Sequence, residues 1–356
     1  MRTLLLTIAG LAAGCGSDGV SAPTAVRMAG ECMGTSWSAV VTLQPGDEYD
    51  DVEAIIQAEL DAVDAALSTW KVDSDVSRLN RAAVDEHVAA TTQTLDVLRL
   101  SGEVVLSTGG AFDPTVGPLV RLWGFGAYDV EPEAPSAADI VAARGRLGWD
   151  AIVLGPDWVA RSRDDVEIDT SAVAKGYGVD VAADALIESG HLAFLLEVGG
   201  EVVVRGSNPD GDAWRVGVDD PLPPEGVDAL SPLNLAPRAP VARLGVTDCA
   251  IATSGDYRNV RRVDGRIVSH TIDPRSGLPV EHALASATVV AATCGLADAL
   301  ATAALVLGPD AGLALLEGLD GVEGYLLVRT GDAEAPIEAR LTSGMAALLL
   351  DGSLGR

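Results

Sequence analysis

Asp298 and Thr302 stand four residues apart in the run DALAT (298–302), inside a stretch that is otherwise alanine, leucine and valine. Four residues is about one helical turn, so carboxylate and hydroxyl share a face. If that face is buried, a lone carboxylate is costly unless it is paired or metal-bound. Oxygen donors of this kind suit Mg²⁺ better than Zn²⁺, while an arginine partner for Asp298 would serve equally well. His270 is one of only four histidines. It stands between the strand-like run 266–269 and the turn DPRSG (273–277), where it could act as a general base or simply be structural. In EIDTSAVAKGY (167–177), Asp169, Thr170 and Ser171 lead into an alanine-rich helix, which is N-cap chemistry. With Lys175 one turn in, this is either an anion site or a capped helix with a solvated lysine. In GGAFDPTVGPLVRLWGFG (109–126), glycines with Pro114 and Pro118 specify an irregular path. There Phe112, Trp123 and Phe125 could pack on a planar ring and Asp113 could accept a hydrogen bond, or the aromatics could belong to the core. TSGD (253–256) reads as a ligand loop or a turn.

Those residues need a scaffold, and hydrophobic periodicity supplies one. A strand over 36–43 is closed by the turn QPGD (44–47). Apolar residues at 52, 55, 56, 60, 63 and 67 predict an amphipathic helix over 52–67. Further helices are expected over 92–108, 136–147, 173–188, 296–307 and 311–316. Residues 152–154 and 158–160 form a hairpin about the turn GPD. Strands are expected at 194–198, 201–205, 241–246, 250–253, 285–291, 325–328 and 345–350. The acidic, proline-rich stretch 219–240 reads as a surface loop. Strands and helices are mixed without regular β-α-β alternation, which points to an α+β fold of mixed sheets with packed helices.

The chain has 356 residues, enough for one large domain or two, and a formal net charge of −28. Such a surface repels phosphate backbones, so nucleic acid is excluded as a partner. Any phosphate-rich ligand would need local positive charge from a metal or a placed lysine. Residues 1–14 read as a signal peptide, with Arg2 before an apolar run too short to span a bilayer. LAAGC (11–15) resembles a lipoprotein cleavage site, making Cys15 a lipid anchor and 15–25 a flexible tether to a domain over 26–356. The expected location is outside the cytoplasm, facing the periplasm or extracytoplasmic space, and Gly16 after Cys15 gives no inner-membrane retention signal. Cys32, Cys249 and Cys294 fit no zinc spacing and allow at most one disulfide, with small buried thiols as the plainer expectation.

Taken together, MGTSW (33–37), STWKVDSDVSRLN (68–80), GGAFDPTVGPLVRLWGFG (109–126), IDTSAVAKGYGVD (168–180), LEVGGEVVVRG (196–206), TSGDYR (253–258), SHTIDPRSGLPV (269–280) and ADALATAALVLGP (297–309) resemble the successive motifs of the ApbE family of flavin transferases. Order and spacing match from about Met33 to Pro309. The resemblance implies FAD as substrate in a cleft of an α+β fold, Mg²⁺ near its diphosphate, and transfer of FMN to a Ser or Thr of an acceptor protein. It implies FAD contacts at Met33, Trp70, Ala111, Phe112, Asp113, Asp169, Lys175 and Ile272. It implies metal ligation by the Ala172 carbonyl, Asp298 and Thr302, and His270 as the catalytic base. Acceptors would be exported subunits of membrane redox complexes. Trp70 stands where tyrosine is common in the family, Thr170 where leucine is common, and Ala301 where some members place a second metal-binding aspartate. Two other activities stay open: an FAD pyrophosphatase that passes FMN to water, and a non-catalytic FAD-binding lipoprotein.

Overall fold

A computed structural model describes residues 22–126, 134–223, 230, 238–332 and 335–350. The signal peptide, Cys15 and most of the tether lie outside the described residues, as does most of the 219–240 loop.

The frame is an antiparallel sheet of eight strands. In order across the sheet these are β1 (Thr24–Cys32), β2 (Thr35–Leu43), β6 (Phe194–Val198), β7 (Glu201–Arg205), β10 (Cys249–Gly255), β13 (Leu284–Ala291), β14 (Glu323–Arg329) and β15 (Ile337–Leu341). Strand alternation gives the sheet two faces, and both are covered. On one face Ala39 and Val41 of β2 pack with Ile56 and Leu60 of α1 (Tyr49–Leu67) and with Val179 and Leu186 of α6 (Ala174–Glu188). Val40, between them, points to the other face and meets Trp214, Val218 and Leu244 of a second hairpin, β8 (Trp214–Asp219) with β9 (Pro240–Val246). Central β13 is therefore buried at all eight positions, which is why its sequence runs apolar or small throughout.

The helical side is completed by α3 (Thr92–Ser107), α7 (Cys294–Leu307) and α8 (Pro309–Glu317). Here α7 packs on β10 and β13 and against α6. The helices α6 and α7 touch at Gly176, where an added Cβ would sit 2.4 Å from the Cys294 carbonyl oxygen and 2.9 Å from Asp298 Cβ. Only glycine permits that approach, and the approach is what carries Asp298 to the start of α6. A small sheet of β3 (Val88–Ala89), β4 (Ile152–Leu154) and β5 (Trp158–Arg161) lies beside α2 (Asp75–Arg81). A satellite core joins α4 (Gly117–Leu122) and α5 (Ala137–Arg144) to a third hairpin, β11 (Val260–Val263) and β12 (Arg266–Ser269), through Leu119, Trp123, Phe125, Ala143, Val263, Val268 and Ile272. No described helix is long and apolar enough to cross a membrane.

The α+β expectation holds, and the helices and hairpins named from periodicity appear within a few residues of their expected bounds. Three readings are corrected. The expected strand 345–350 is instead a 3-10 helix over Met345–Leu348, with Met345 plugging the core beneath β8–β9. The tether gives way to β1 at Thr24, because Met28 and Cys32 are buried against α1 while Arg27 and Glu31 alternate outward. Asp169, Thr170 and Ser171 do not cap α6: its N-cap is Val173, and no side chain caps it. Cys32, Cys249 and Cys294 are free thiols, the first and last buried.

Candidate active site

Three of the motif segments (68–80, 109–126 and 168–180) and the end of α1 converge through bonds that local sequence does not announce. Asn80, at the end of α2, brackets Ile168 with two hydrogen bonds of 2.8 Å, one to its N–H and one from Nδ2 to its carbonyl. The Thr170 hydroxyl donates to the Leu67 carbonyl at 3.0 Å, closing the C-terminus of α1. The Asp169 N–H donates to the Pro114 carbonyl at 2.7 Å. Thr170 and Asp169 are thus spent on tertiary ties and a local Asx turn to the Ser171 N–H, rather than on the helix start. The result is a cavity of about 260 Å³ lined by Thr69, Asn80, Arg81, Phe125, Glu167 and Asp169 among others.

A charged cluster joins α6, β7 and α7, its two carboxylates buried and its ammonium half-buried. The Lys175 ammonium donates to the Glu201 carboxylate, which is nearly fully buried at the first position of β7. Asp298 is buried in the middle of α7, and its Oδ2 accepts from the Gly176 N–H at 3.2 Å. That N–H belongs to the first turn of α6 and turns to Asp298 rather than to the Ala172 carbonyl four residues back. Burial raises the Asp298 carboxyl, against the pull of Lys175 and the Gly176 N–H. Burial raises Glu201 too, with Lys175 opposing and Asp298 adding to the rise. Burial pulls the Lys175 ammonium down, but Glu201 and Asp298 outweigh it and its pKa is raised. Two buried carboxylates therefore share one ammonium, and Glu201 Oε2 has no hydrogen-bond partner among the described residues. The cluster is short of positive charge.

That deficit is the test of whether a divalent cation fits, and the residues pass it. Asp298 supplies a carboxylate and Thr302, one turn on, a hydroxyl that bonds Ser254 Oγ at 3.0 Å. These are hard oxygen donors of the kind Mg²⁺ takes. Among the described residues no three His, Cys, Asp or Glu side chains form a cage, so a cation here would lean on one carboxylate, a hydroxyl and backbone oxygen. Ala301 is buried and contributes no donor.

His270 follows β12 directly, and its ring is held by Nδ1 against the Asn259 carbonyl at 3.1 Å. A carbonyl oxygen only accepts, so Nδ1 carries the hydrogen and the neutral imidazole keeps its lone pair on Nε2. Burial lowers the His270 pKa, the Asn259 carbonyl opposes, Lys175 lowers it further, and Asp256 opposes again. The net direction is downward, which leaves a neutral base at neutral pH. Phe125 meets the imidazole edge-on, with ring centroids 6.3 Å apart.

The remaining candidates divide. Met33 occupies the two-residue turn between β1 and β2 at φ +49°, and its sulfur lies 3.3 Å from where a Cβ of Gly178 would be, so it sits beside α6. Trp70 is 71% exposed in the loop after α1. Asp113 is turned inward onto the Thr115 N–H at 2.8 Å and hydroxyl at 2.6 Å; burial raises its pKa, Thr115 opposes, and Asp150 adds to the rise. The side chains of Ala111, Phe112 and Ile272 are core residues, so any ligand contact there would be through backbone or a thin edge. Trp123 is likewise buried and donates from Nε1 to the Gly277 carbonyl at 2.9 Å. Two residues escaped the sequence reading. Glu201 hides at the head of an apolar strand, and its only signal is an acid straight after Gly199-Gly200. Asp180 caps α7 from α6, accepting from the Cys294 N–H at 2.7 Å and the Gly295 N–H at 2.8 Å; burial nonetheless pushes its pKa up to about 6.

Comparison with known proteins bears on this arrangement. The model of the ApbE family matches residues 33–326. A Klebsiella pneumoniae protein named FAD:protein FMN transferase is 35% identical over 338 residues, covering 93% of this chain and 93% of that protein. A Vibrio cholerae protein of the same name is 35% identical over 335 residues, covering 93% of this chain and 95% of its own length. Among solved structures, the flavin transferase ApbE from Vibrio cholerae superposes with a TM-score of 0.80 at 32% identity, covering 92% of this chain and all 100% of that one. The Pseudomonas stutzeri flavinyl transferase ApbE, in its apo form, gives 0.79 at 31% identity, covering 92% and 97%.

Proposed function

The chain belongs to the ApbE family, and from that premise we propose that it transfers FMN from FAD to a Ser or Thr hydroxyl of an acceptor protein, releasing AMP. The observation that carries the reading is His270, a neutral imidazole held through Nδ1 by the Asn259 carbonyl so that its lone pair on Nε2 is left to accept a proton. The acceptor oxygen bonds to the FMN phosphorus, the bond from that phosphorus to the AMP oxygen breaks, and Nε2 takes the hydroxyl proton. Such transfer rests mainly on positioning and charge neutralisation. Lys175 would supply positive charge for the diphosphate, in a chain whose net charge is −28. Asp298, Thr302 and the Ala172 carbonyl would hold Mg²⁺, which when bound neutralises charge on the diphosphate. Glu201 holds the Lys175 ammonium in place. A non-catalytic FAD carrier would need neither a base nor a charge-deficient oxygen site, so the arrangement favours an enzyme.

Transfer and hydrolysis use the same site and differ only in whether a protein hydroxyl or water attacks. Incubation with FAD, Mg²⁺ and acceptor, followed by separation of free from protein-bound flavin, distinguishes them. Most of the flavin is expected on protein, and FMN found only free in solution would overturn the transferase reading.

The protein is further proposed to be exported and anchored through lipid on Cys15, with acceptors among exported subunits of membrane redox complexes. LAAGC (11–15) after an apolar run supports this. Labelled palmitate is expected to enter the wild-type chain and not Cys15→Ala; no label in either would sink the anchor.

A further inference from the structure

The segment TSGDYR (253–258) leads out of the eight-stranded sheet and into the hairpin that carries His270. Among the described residues β11 and β12 pair only with each other, so the hairpin stands apart from that sheet. It is joined to β10 through Asp256–Asn259, which lie between Gly255, the end of β10, and Val260, the start of β11. The hairpin's paired residues finish at Val260 and Ser269. One rung further out, the Asn259 carbonyl accepts the His270 N–H and the ring Nδ1–H, each at 3.1 Å. The bond that sets the tautomer of the base is therefore the end rung of a two-stranded ribbon. End rungs fray unless the chain beyond them is held.

Asp256, three residues before Asn259, is held firmly. Arg329, the last residue of β14, donates from Nη1 and Nη2 to its two carboxylate oxygens, each at 2.7 Å. The Arg329 N–H is itself fixed on the Ala283 carbonyl at 2.8 Å, so the fork stands on a strand end. The register of β13 against β14 shifts between Leu284 and Ser286, and the Ala285 carbonyl accepts the Asp256 N–H at 3.1 Å. A bulge of this kind re-aims the backbone beside it. Two residues earlier, Ser254 Oγ bonds Thr302 Oγ1 on α7 at 3.0 Å. The next residues have ties of their own: Tyr257 is buried under the Arg238 guanidinium, 4.6 Å from its ring centroid, and Arg258 pairs with Asp219 of β8. The Asp256 tie is the one made to the eight-stranded sheet through a two-pronged ion pair, the geometry in which such a pair has force.

We infer that Arg329 is a positioning residue for the transfer: by gripping Asp256 it keeps the end of the hairpin from fraying and so holds the His270 ring on the Asn259 carbonyl. The inference rests on the proposed role of His270 as base. Arg329 does not touch the imidazole; it acts through Asp256 and at most roughly 10 Å of chain to Asn259. With the rung closed, Nδ1 carries the hydrogen and Nε2 is bare. With the rung open, the neutral ring is free to place its hydrogen on either nitrogen, and a ring protonated at Nε2 cannot take the acceptor proton. An ion pair that only adds stability is the plain alternative, and it predicts no change in the tautomer.

The test uses the full chain labelled with nitrogen-15 in its four histidines, read by the imidazole nitrogen resonances at neutral pH, with His270→Ala assigning the signal. In the wild type His270 is expected to show a protonated Nδ1 and a bare Nε2. In Arg329→Gln a mixture of the two tautomers should replace that signature. With FAD, Mg²⁺ and acceptor, kcat should fall about tenfold while KM for FAD stays unchanged, because only rings with a bare Nε2 can act. Asp256→Ala cuts the same tie from the other side and should reproduce both changes, with nothing further lost when the two are combined. Arg329→Lys keeps the charge without the fork and should fall between, which serves if Arg329→Gln does not fold. A wild-type tautomer signature in the variants overturns the inference, whether or not their melting temperature falls. Mixed tautomers with transfer at the wild-type rate leave the grip on the ring standing and count instead against His270 as the base.

Discussion

His270→Ala is expected to lower FMN transfer by roughly 10²–10⁴-fold, the range that general-base catalysis contributes, while FAD stays bound. The expectation follows from geometry. The Asn259 carbonyl fixes the tautomer, so the lone pair on Nε2 is the only basic position on the ring. The imidazole meets Phe125 edge-on, and among the described residues its ring bonds the Asn259 carbonyl rather than Asp298 or Thr302. Removing it should therefore cost rate rather than substrate binding. The same environment sets a pH signature. Burial and Lys175 lower the His270 pKa below the ordinary histidine value, outweighing the Asn259 carbonyl and Asp256. As pH falls through that lowered value the imidazole gains its proton and can no longer take another. The acid limb of kcat/KM is thus expected below the usual histidine range, and it should vanish in His270→Ala. Full activity in the variant would remove His270 from the reaction.

Asp298→Asn is the second large expectation. Asparagine keeps the shape and can still accept from the Gly176 N–H, so the α6–α7 contact should hold. What disappears is charge. In the wild type Asp298 and Glu201 share the single Lys175 ammonium, and Glu201 Oε2 is left without a partner among the described residues. In the variant the cluster is balanced and no longer short of positive charge. Mg²⁺ binding is expected to weaken by at least tenfold to a hundredfold, the scale on which even outer groups alter metal affinity. Titration calorimetry with Mg²⁺, or spin-resonance detection of bound Mn²⁺, reads this without any turnover. Transfer should require correspondingly more Mg²⁺. Unchanged cation affinity in Asp298→Asn would show that the cation, if needed, binds elsewhere.

Much of this was legible in the sequence, for identifiable reasons. The helices α1 and α7 announce themselves because one is amphipathic and the other is almost wholly apolar, so that a single Asp in α7 stands out. His270 stands out because histidine is rare here and because a strand and a turn flank it. What was hidden depends on contacts between distant segments. Ser, Thr and Asp before a helix read locally as caps, but Thr170 is drawn to Leu67 and Asp169 to Ser171, so α6 begins uncapped. The partner of Lys175 is Glu201, twenty-six residues on, and nothing at the head of β7 marks that glutamate as different from a strand-end acid. Phe112 and Trp123 looked available to a planar ligand; tertiary packing put both in the core. Residues 345–348 carry enough apolar character for a strand, yet Met345 is needed as a plug and the chain coils to place it. Exposed Trp70 is the converse case, an aromatic that the core does not claim.

The covalent destination of the flavin is read directly by the intact mass of the acceptor. After incubation of the full chain with FAD, Mg²⁺ and an acceptor protein, the acceptor is expected to gain the mass of one FMN less one water, with one AMP released per adduct. An acceptor of unchanged mass, with FMN and AMP both free in solution, would contradict transfer to protein.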